Sequence, residues 1–212
     1  MTSLRSPHTA RTRSSSRGFT LLELMAVVTI IALLAAIAVP GASAMIRERR
    51  SATAAGHIAE QYRMARARSL GRSSAVLVRF NAGHVTVLEA IAGAAGNVNG
   101  CALKPVGACT AQAFATPTTY QVIDDFNPTG SSYDAVAYQF TQFVGTTATV
   151  LTSADVCFSS SGLTWIRAGN AGTFGPMTSP VDIRVRREEG GEVVGVERHI
   201  YLLPNGMARL AI

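Results

Sequence analysis

The sequence predicts an α+β protein in which a long N-terminal α-helix, its first half apolar enough to cross a membrane, packs on an antiparallel β-sheet domain. Three observations predict it. An uncharged run from Leu24 to Ile46 follows a basic leader, a stripe of apolar residues at spacings of three and four continues it to about residue 70, and from Ser74 onward the period changes to two. With 212 residues, 48% hydrophobic and 15% charged, the chain has core enough for one domain and an appendage.

The formal charge of +6 invites a nucleic-acid reading, but its origin is local. Arg5, Arg11, Arg13 and Arg17 all precede the apolar run, in a leader that contains no acid. Without them the chain has 15 basic residues against 13 acidic ones, a balance of +2. A short, Arg-rich, acid-free N-terminus ahead of an apolar segment is the pattern of an export signal whose positive flank stays in the cytoplasm.

Leu24 to Ile46 is 23 residues without a charge, about 34 Å as a helix and sufficient for a hydrocarbon core of roughly 30 Å. Pro40 and Gly41 fall near its outer end, where a missing N–H and a flexible neighbour are expected to kink the helix. One carboxylate, Glu23, sits just before the run, where a charge is costly and points to a function. Two export readings follow. A secretory signal would be cut at the small residues Ala42, Ser43 and Ala44, releasing a soluble β-rich binding domain, and would have no use for Glu23.

The other reading rests on Gly18, Phe19, Thr20, Leu21, Leu22, Glu23 and Leu24. This stretch resembles, residue for residue, the class III signal of type IV pilins and pseudopilins. The resemblance implies that prepilin peptidase cuts between Gly18 and Phe19 and methylates the new N-terminus, so residues 1–18 are a removed leader and residues 19–46 a retained transmembrane and assembly helix. Glu23 becomes the fifth mature residue and Pro40 the twenty-second, both usual for pilins. The cut leaves a cationic amine at Phe19, one helical turn from Glu23. An unpaired carboxylate is costly in low dielectric, so a subunit entering a bundle of such helices gains by setting Glu23 against a neighbour's amine, which fixes axial register. The resemblance implies other pilins or pseudopilins, prepilin peptidase and an inner-membrane assembly platform as partners. It also implies a single-pass inner-membrane location, with the N-terminus cytoplasmic and the C-terminal domain periplasmic.

Residues 47–72 read as an amphipathic continuation of the helix, because Ala55, Ile58, Ala59, Tyr62 and Ala65 draw one stripe. Gly71 is the expected cap, and Arg63, Arg66, Arg68 and Arg72 are expected on a solvated face. Residues 73–212 form the β domain. "AVLVRF", "NAG" and "HVTVLEA" are a hairpin, and further strands are expected at "YQVIDDF", "AVAYQFTQF", "ATVLT", "DVCFSS", "VDIRVRR", "EVVGVERHIYLL" and "MARLAI". "RREEGGEVV" places the strands around Arg184 and Val194 as antiparallel neighbours. Alternation sets Ile183 and Val185 on one face and Arg184 and Arg186 on the other. Residues 91–120 are small and turn-rich and read as a loop insertion.

The order "VCFSSSGLTW", a strand pair and a last "PNG" turn, with Gly162 and Gly206, resembles the GspH/FimT branch of minor pilins and type II secretion pseudopilins. That resemblance implies a place at or near a filament tip. Some FimT-type members are linked to DNA uptake through a basic Gly-Arg-x-Arg segment near the C-terminus. The matching residues here are Gly206, Met207, Ala208 and Arg209, without the first Arg. Arg184, Arg186, Arg187, Arg198 and Arg209 are the candidate phosphate contacts, with Glu188, Glu189, Glu192 and Glu197 interspersed against them.

Cys101 and Cys109 enclose a short loop and are the expected disulfide in an oxidising compartment, leaving Cys157 as a buried free thiol. No CxxC or CxxH spacing argues for zinc, and no cofactor is expected. His57, His84 and His199 are scattered, with no HExxH, GxSxG or glycine-rich phosphate loop, so the chain is not expected to be an enzyme. "DDFNPTG", Asp124 to Gly130, resembles the opening of a calcium loop, but Val136 stands where a bidentate Glu is needed.

Overall fold

The computed structural model describes residues 19–81, 83–92, 104–127, 136–144, 147–189 and 191–211. One helix, α1 (Leu21–Arg72), precedes the strands β1 (Val76–Asn81), β2 (His84–Ala92), β3 (Lys104–Pro105), β4 (Tyr120–Phe126), β5 (Val136–Val144), β6 (Thr147–Leu151), β7 (Ser153–Phe158), β8 (Thr164–Ala168), β9 (Gly175–Pro176), β10 (Val181–Glu189), β11 (Glu192–Leu202) and β12 (Ala208–Ala211). This is the α+β arrangement expected from the sequence, a long helix followed by antiparallel sheets. The chain divides into two units, one ending at Ser43 and the other running from Ala44 to the C-terminus. The helical assignment continues through Pro40 without a break.

In the second unit the strands make two sheets. The first has the order β3-β2-β1-β7-β8-β9, with β4 also on β2; the second runs β12-β11-β10-β5-β6. Every pairing is antiparallel, and the expected β1–β2 hairpin pairs Val76 with Glu89 through Asn81 with His84. The β10–β11 hairpin is also present, with a bulge between Val185 and Arg187.

The stripe on α1 is what joins the sheets. Ala55, Ile58 and Tyr62 are buried with Val78 and Val156 of the first sheet and Phe140, Ile183 and Ile200 of the second. Phe80 and Phe140 stack across the join with ring centroids 5.7 Å apart. Alanines at 54, 55, 59 and 65 let the strands approach the helix closely, and the aromatic rings fill the space beyond.

The insertion at 91–120 is not a free loop where it is described. Residues 104–120 fold over the other face of the first sheet. Val106 accepts a hydrogen bond from the Ala75 N–H at 2.6 Å, and Gly107 accepts one from Ser160 at 3.1 Å. A 3₁₀ turn at Gln112–Phe114 buries Ala113 and Phe114 against Leu77, Leu88 and Cys157. This second core explains why β1 is apolar at successive positions instead of alternating: it is covered on both faces.

The same packing corrects the disulfide. Cys109 bonds to Cys157, with Cα atoms 5.9 Å apart, so Cys157 is not a free thiol and Cys109 is not paired with Cys101, which lies outside the described residues. Eight residues of sequence proximity favour the 101–109 pair; docking of the insertion on the first sheet sets Cys109 against β7 instead. The bridge closes a separation of 48 residues.

The helix cap is also corrected. Gly71 remains helical, and Ser73 takes the left-handed conformation with φ 55°. The turn falls there because the next residue is already committed: the Ser74 hydroxyl donates to Glu89 Oε1 at 2.6 Å, and Ala75 enters the sheet.

Candidate processing and assembly site

Gly18 lies outside the described residues; Phe19 and everything to Val39 are exposed on all sides of the helix. Among the described residues α1 is the one helix long and apolar enough to cross a membrane. Exposed leucines, isoleucines and valines recur all round it, from Leu21 to Val39. A helix that is hydrophobic on every side is made for an apolar surround or for other helices, not for water.

Its first turn explains Thr20. The Thr20 hydroxyl accepts the Glu23 N–H at 3.2 Å, and the Thr20 carbonyl accepts the Leu24 N–H at 3.2 Å, so Thr20 caps the helix. Thr-x-x-Glu is the spacing of a capping box, and the carboxylate at its third helical position also suits the positive end of the helix dipole. In the sequence Thr20 stands only as part of the signal motif; its place three residues before Glu23 is the signal for the cap. Glu23 therefore has a position, exposed in the first turn, that both holds the helix start and presents a carboxylate one turn from Phe19.

Farther along α1, Arg63 and Arg72 are exposed as a solvated face requires, but Arg68 and Arg72 also close on a buried carboxylate. Arg68 Nη2 lies 2.7 Å and Arg72 Nε 2.8 Å from the Glu89 carboxylate, which is 1% exposed, and Ser74 completes the set. Burial pushes the Glu89 carboxyl up, and the hydrogen bonds of Ser74 and Arg68 with the charges of Arg68 and Arg72 outweigh it, leaving it below the usual value. Period-two alternation was the missed signal, since Glu89 follows Val85 and Val87 on the face toward α1. Arg63 donates from Nε to the Ala208 carbonyl at 3.2 Å.

The five arginines considered for DNA divide between two faces of the second sheet: register puts Arg184, Arg186 and Arg209 on the outer face and Arg187 and Arg198 on the inner one. Arg184 pairs with Asp182 at 3.0 Å and Arg186 with Glu188 at 2.8 Å on the face of β10 turned from the core. Arg198 points the other way, to Glu48 at 2.6 Å and Ser51 at 2.9 Å of α1. Arg187 is buried, and Arg209 stands opposite Tyr201 in β12. Register, not composition, decides this: residues opposite Val185, as Arg198 is, face inward with it.

The remaining candidates are structural as well. Asp124 accepts a hydrogen bond from Gln61 at 2.8 Å and Asp125 one from Thr86 at 3.1 Å, while residues 128–135 of the calcium-like stretch lie outside the described residues. His57 stacks on Phe126 at 4.3 Å, and His199 hydrogen-bonds Asp182 at 3.0 Å. Among the described residues no group of three or more His, Cys, Asp or Glu is placed to hold a metal ion.

Residues 13–39 match the family described as the prokaryotic N-terminal methylation motif. No curated protein and no solved structure matches the chain. The motif spans the leader's last residues, Gly18, Phe19, the capped turn with Glu23 and most of the exposed apolar helix. It supports a type IV pilin-like protein, processed by prepilin peptidase, with a single membrane-anchoring helix and assembly with other pilins.

Proposed function

We propose that the chain is a noncatalytic minor pilin or pseudopilin of the GspH/FimT type. Prepilin peptidase cuts it after Gly18 and methylates Phe19, and the subunit enters a type IV pilus or type II secretion pseudopilus through α1. Its place is at or near the tip, where it supports initiation, and its body lies in the periplasm while the leader faces the cytoplasm. One observation carries this reading. The methylation motif runs straight into a helix whose described apolar residues, from Leu21 to Val39, are exposed on every side. Glu23, in the capped first turn, is the register-setting group, because its carboxylate gains most by meeting another subunit's N-terminal amine.

A second reading has its own support: the chain divides between Ser43 and Ala44, beside the site at which a secretory signal would be cut. The test is the intact mass and N-terminal sequence of the protein recovered from membranes. The pilin-like reading expects N-methylated Phe19 at the start. A start at Met45 overturns it in favour of a released soluble domain.

A further inference from the structure

The C-terminal end of α1 and the turn into β12 enclose a cleft of about 360 Å³. Its walls are largely apolar, with Ala67 and Leu70 on the helix and Met207 on the strand side. Two arginines line it, and they differ. Arg63 donates from Nε to the Ala208 carbonyl at 3.2 Å and lies 3.7 Å from Glu60. The Arg66 guanidinium has no hydrogen-bond or ion-pair partner among the described residues, although its Nε is buried. A charged donor withdrawn from water without an acceptor is costly, and the planar fork of a guanidinium is met best by a carboxylate. The cleft is therefore suited to one anionic group with an apolar body beside it.

The strand side of the cleft is a sheet edge. β12 is the last strand of its sheet and pairs with β11. The Leu203 N–H bonds to the Met207 carbonyl at 3.0 Å. By antiparallel alternation Tyr201 and Arg209 form the next hydrogen-bonded pair, so the N–H and C=O groups of Ala208 and Leu210 turn outward. Arg63 on the Ala208 carbonyl agrees with this. The edge groups of Leu210 meet no partner among the described residues, and its side chain is exposed.

The cleft is closed at one end. Gly206, with φ 78°, makes the turn before β12, and a Cβ there would come within 3.0 Å of Arg66 Cδ and Phe158 Cε1. Close by, the β7–β8 turn meets Leu70, where a Cβ on Gly162 would lie 3.5 Å from Cδ2. A chain running along the β12 edge toward Gly206 runs out of room at Arg66.

The geometry points to a binding site for the C-terminus of another polypeptide. The incoming segment lies extended along β12 and antiparallel to it, its backbone pairing with Leu210. The apolar side chain of its last residue packs against Leu70 and Met207, and Arg66 holds its terminal carboxylate. Each requirement has its own cause: a free edge takes a strand, an unmet guanidinium takes a carboxylate, and a closed end takes a chain that stops there. A nucleic-acid backbone is a poorer match, because it brings a run of charges to a largely apolar cleft in which Arg63 is already engaged. The partner is a different chain that docks once, so no repeating contact is required of a subunit at or near a filament tip. The inference concerns the body alone and goes beyond the assembly reading without resting on it.

Fluorescence anisotropy with the full chain in detergent tests it. The probe is a labelled pentapeptide of alternating valine and threonine ending in leucine, with a free carboxylate. Saturable binding is expected, and both the C-terminal amide of the peptide and the Arg66→Ala variant of the protein should weaken it about tenfold, as loss of one charge-assisted hydrogen bond does. Methylating alternate peptide nitrogens should abolish binding in one phase and spare it in the other, because every second residue of an added strand bonds to the edge. An intact Cys109–Cys157 bridge in Arg66→Ala shows that the body folds, and the peptide arms need no variant. Absence of binding by the acid, or equal affinity of acid and amide, overturns the inference. Equal effects of the two methylation phases overturn the strand geometry. An amidated peptide with an internal glutamate that matches the acid overturns the terminal assignment in favour of an acidic side chain, and displacement of the probe by a duplex oligonucleotide overturns it in favour of phosphate. Processing at Phe19 is read separately by mass, so each of these failures leaves the assembly reading standing.

Discussion

The two parts of α1, residues 21–43 and 44–72, belong to one helix by backbone but differ in what they are written for. The first is apolar on every side, and among the described residues none of its apolar side chains is buried. The second is apolar on one stripe only, and that stripe is the middle of the core. Its polar side chains are committed as well, Glu48 to Arg198, Gln61 to Asp124, and Arg68 and Arg72 to Glu89. A helix that buries an apolar stripe and pairs charges with the strands beside it belongs to a fold; one whose apolar groups are exposed all round belongs to an assembly or a membrane.

The sharpest break in this comparison is Glu23→Ala. It is expected to reduce incorporation into filaments by tenfold or more, on the order of the effect of removing one partner of a desolvated charge pair, while N-terminal sequencing still finds a cut at Phe19. Unchanged filament yield would remove Glu23 from the register argument.

Next in size is a pair of substitutions, one in each part. Ile58→Ala is expected to destabilise the body by about 2–5 kcal/mol, through lost burial and the cavity left behind. Leu33→Ala is expected to leave it within about 0.5 kcal/mol, as exposed sites do. Urea titration followed by limited proteolysis of the body measures both, and equal effects would erase the contrast between the parts.

Glu89→Gln should cost about 2 kcal/mol, because Arg68 and Arg72 lose a charged acceptor at a buried position. The pH dependence has a definite sign. The folded carboxyl lies below its unfolded value, so its stabilisation is present above the ordinary glutamate value of 4.5 and is lost as pH falls through the depressed one. Acid titration of stability should therefore flatten in the variant; an unchanged acid limb would show that Glu89 does not tie the helix end to the sheet.

The smallest effect is at the cap. Ser73→Gly should raise stability by about 0.5–1 kcal/mol, since a left-handed residue is strained unless it is glycine. A shift in thermal midpoint in the opposite direction would mean that Ser73 is held there by something more than the turn.

The hairpins at 75–90 and 181–203, the long helix and the anchor segment were legible because each is a local pattern: a period, a turn signal, an uncharged length. Thr20 and Glu89 also carry local signals, a spacing of three and an alternation of two, but each sits inside an apolar pattern that dominates its stretch. The Cys109–Cys157 bridge was not legible. Nothing in "VGACTA" and "ADVCFSS" says that the two stretches meet, and the shorter 101–109 loop is the natural choice on sequence distance alone. Arg184 and Arg198 likewise read as one basic group until register turned them to opposite faces of the sheet.

By itself the sequence determined the start of the helix, its apolar length, the processing motif and the strand-forming segments, because these depend on residues within a few positions of one another. Only the tertiary structure decided that residues 104–120 cover the outer face of the first sheet, that Cys109 finds Cys157, and that Arg68 and Arg72 close on Glu89. Those outcomes depend on which strands become neighbours, a matter of register and packing between segments tens of residues apart, and no local pattern encodes it.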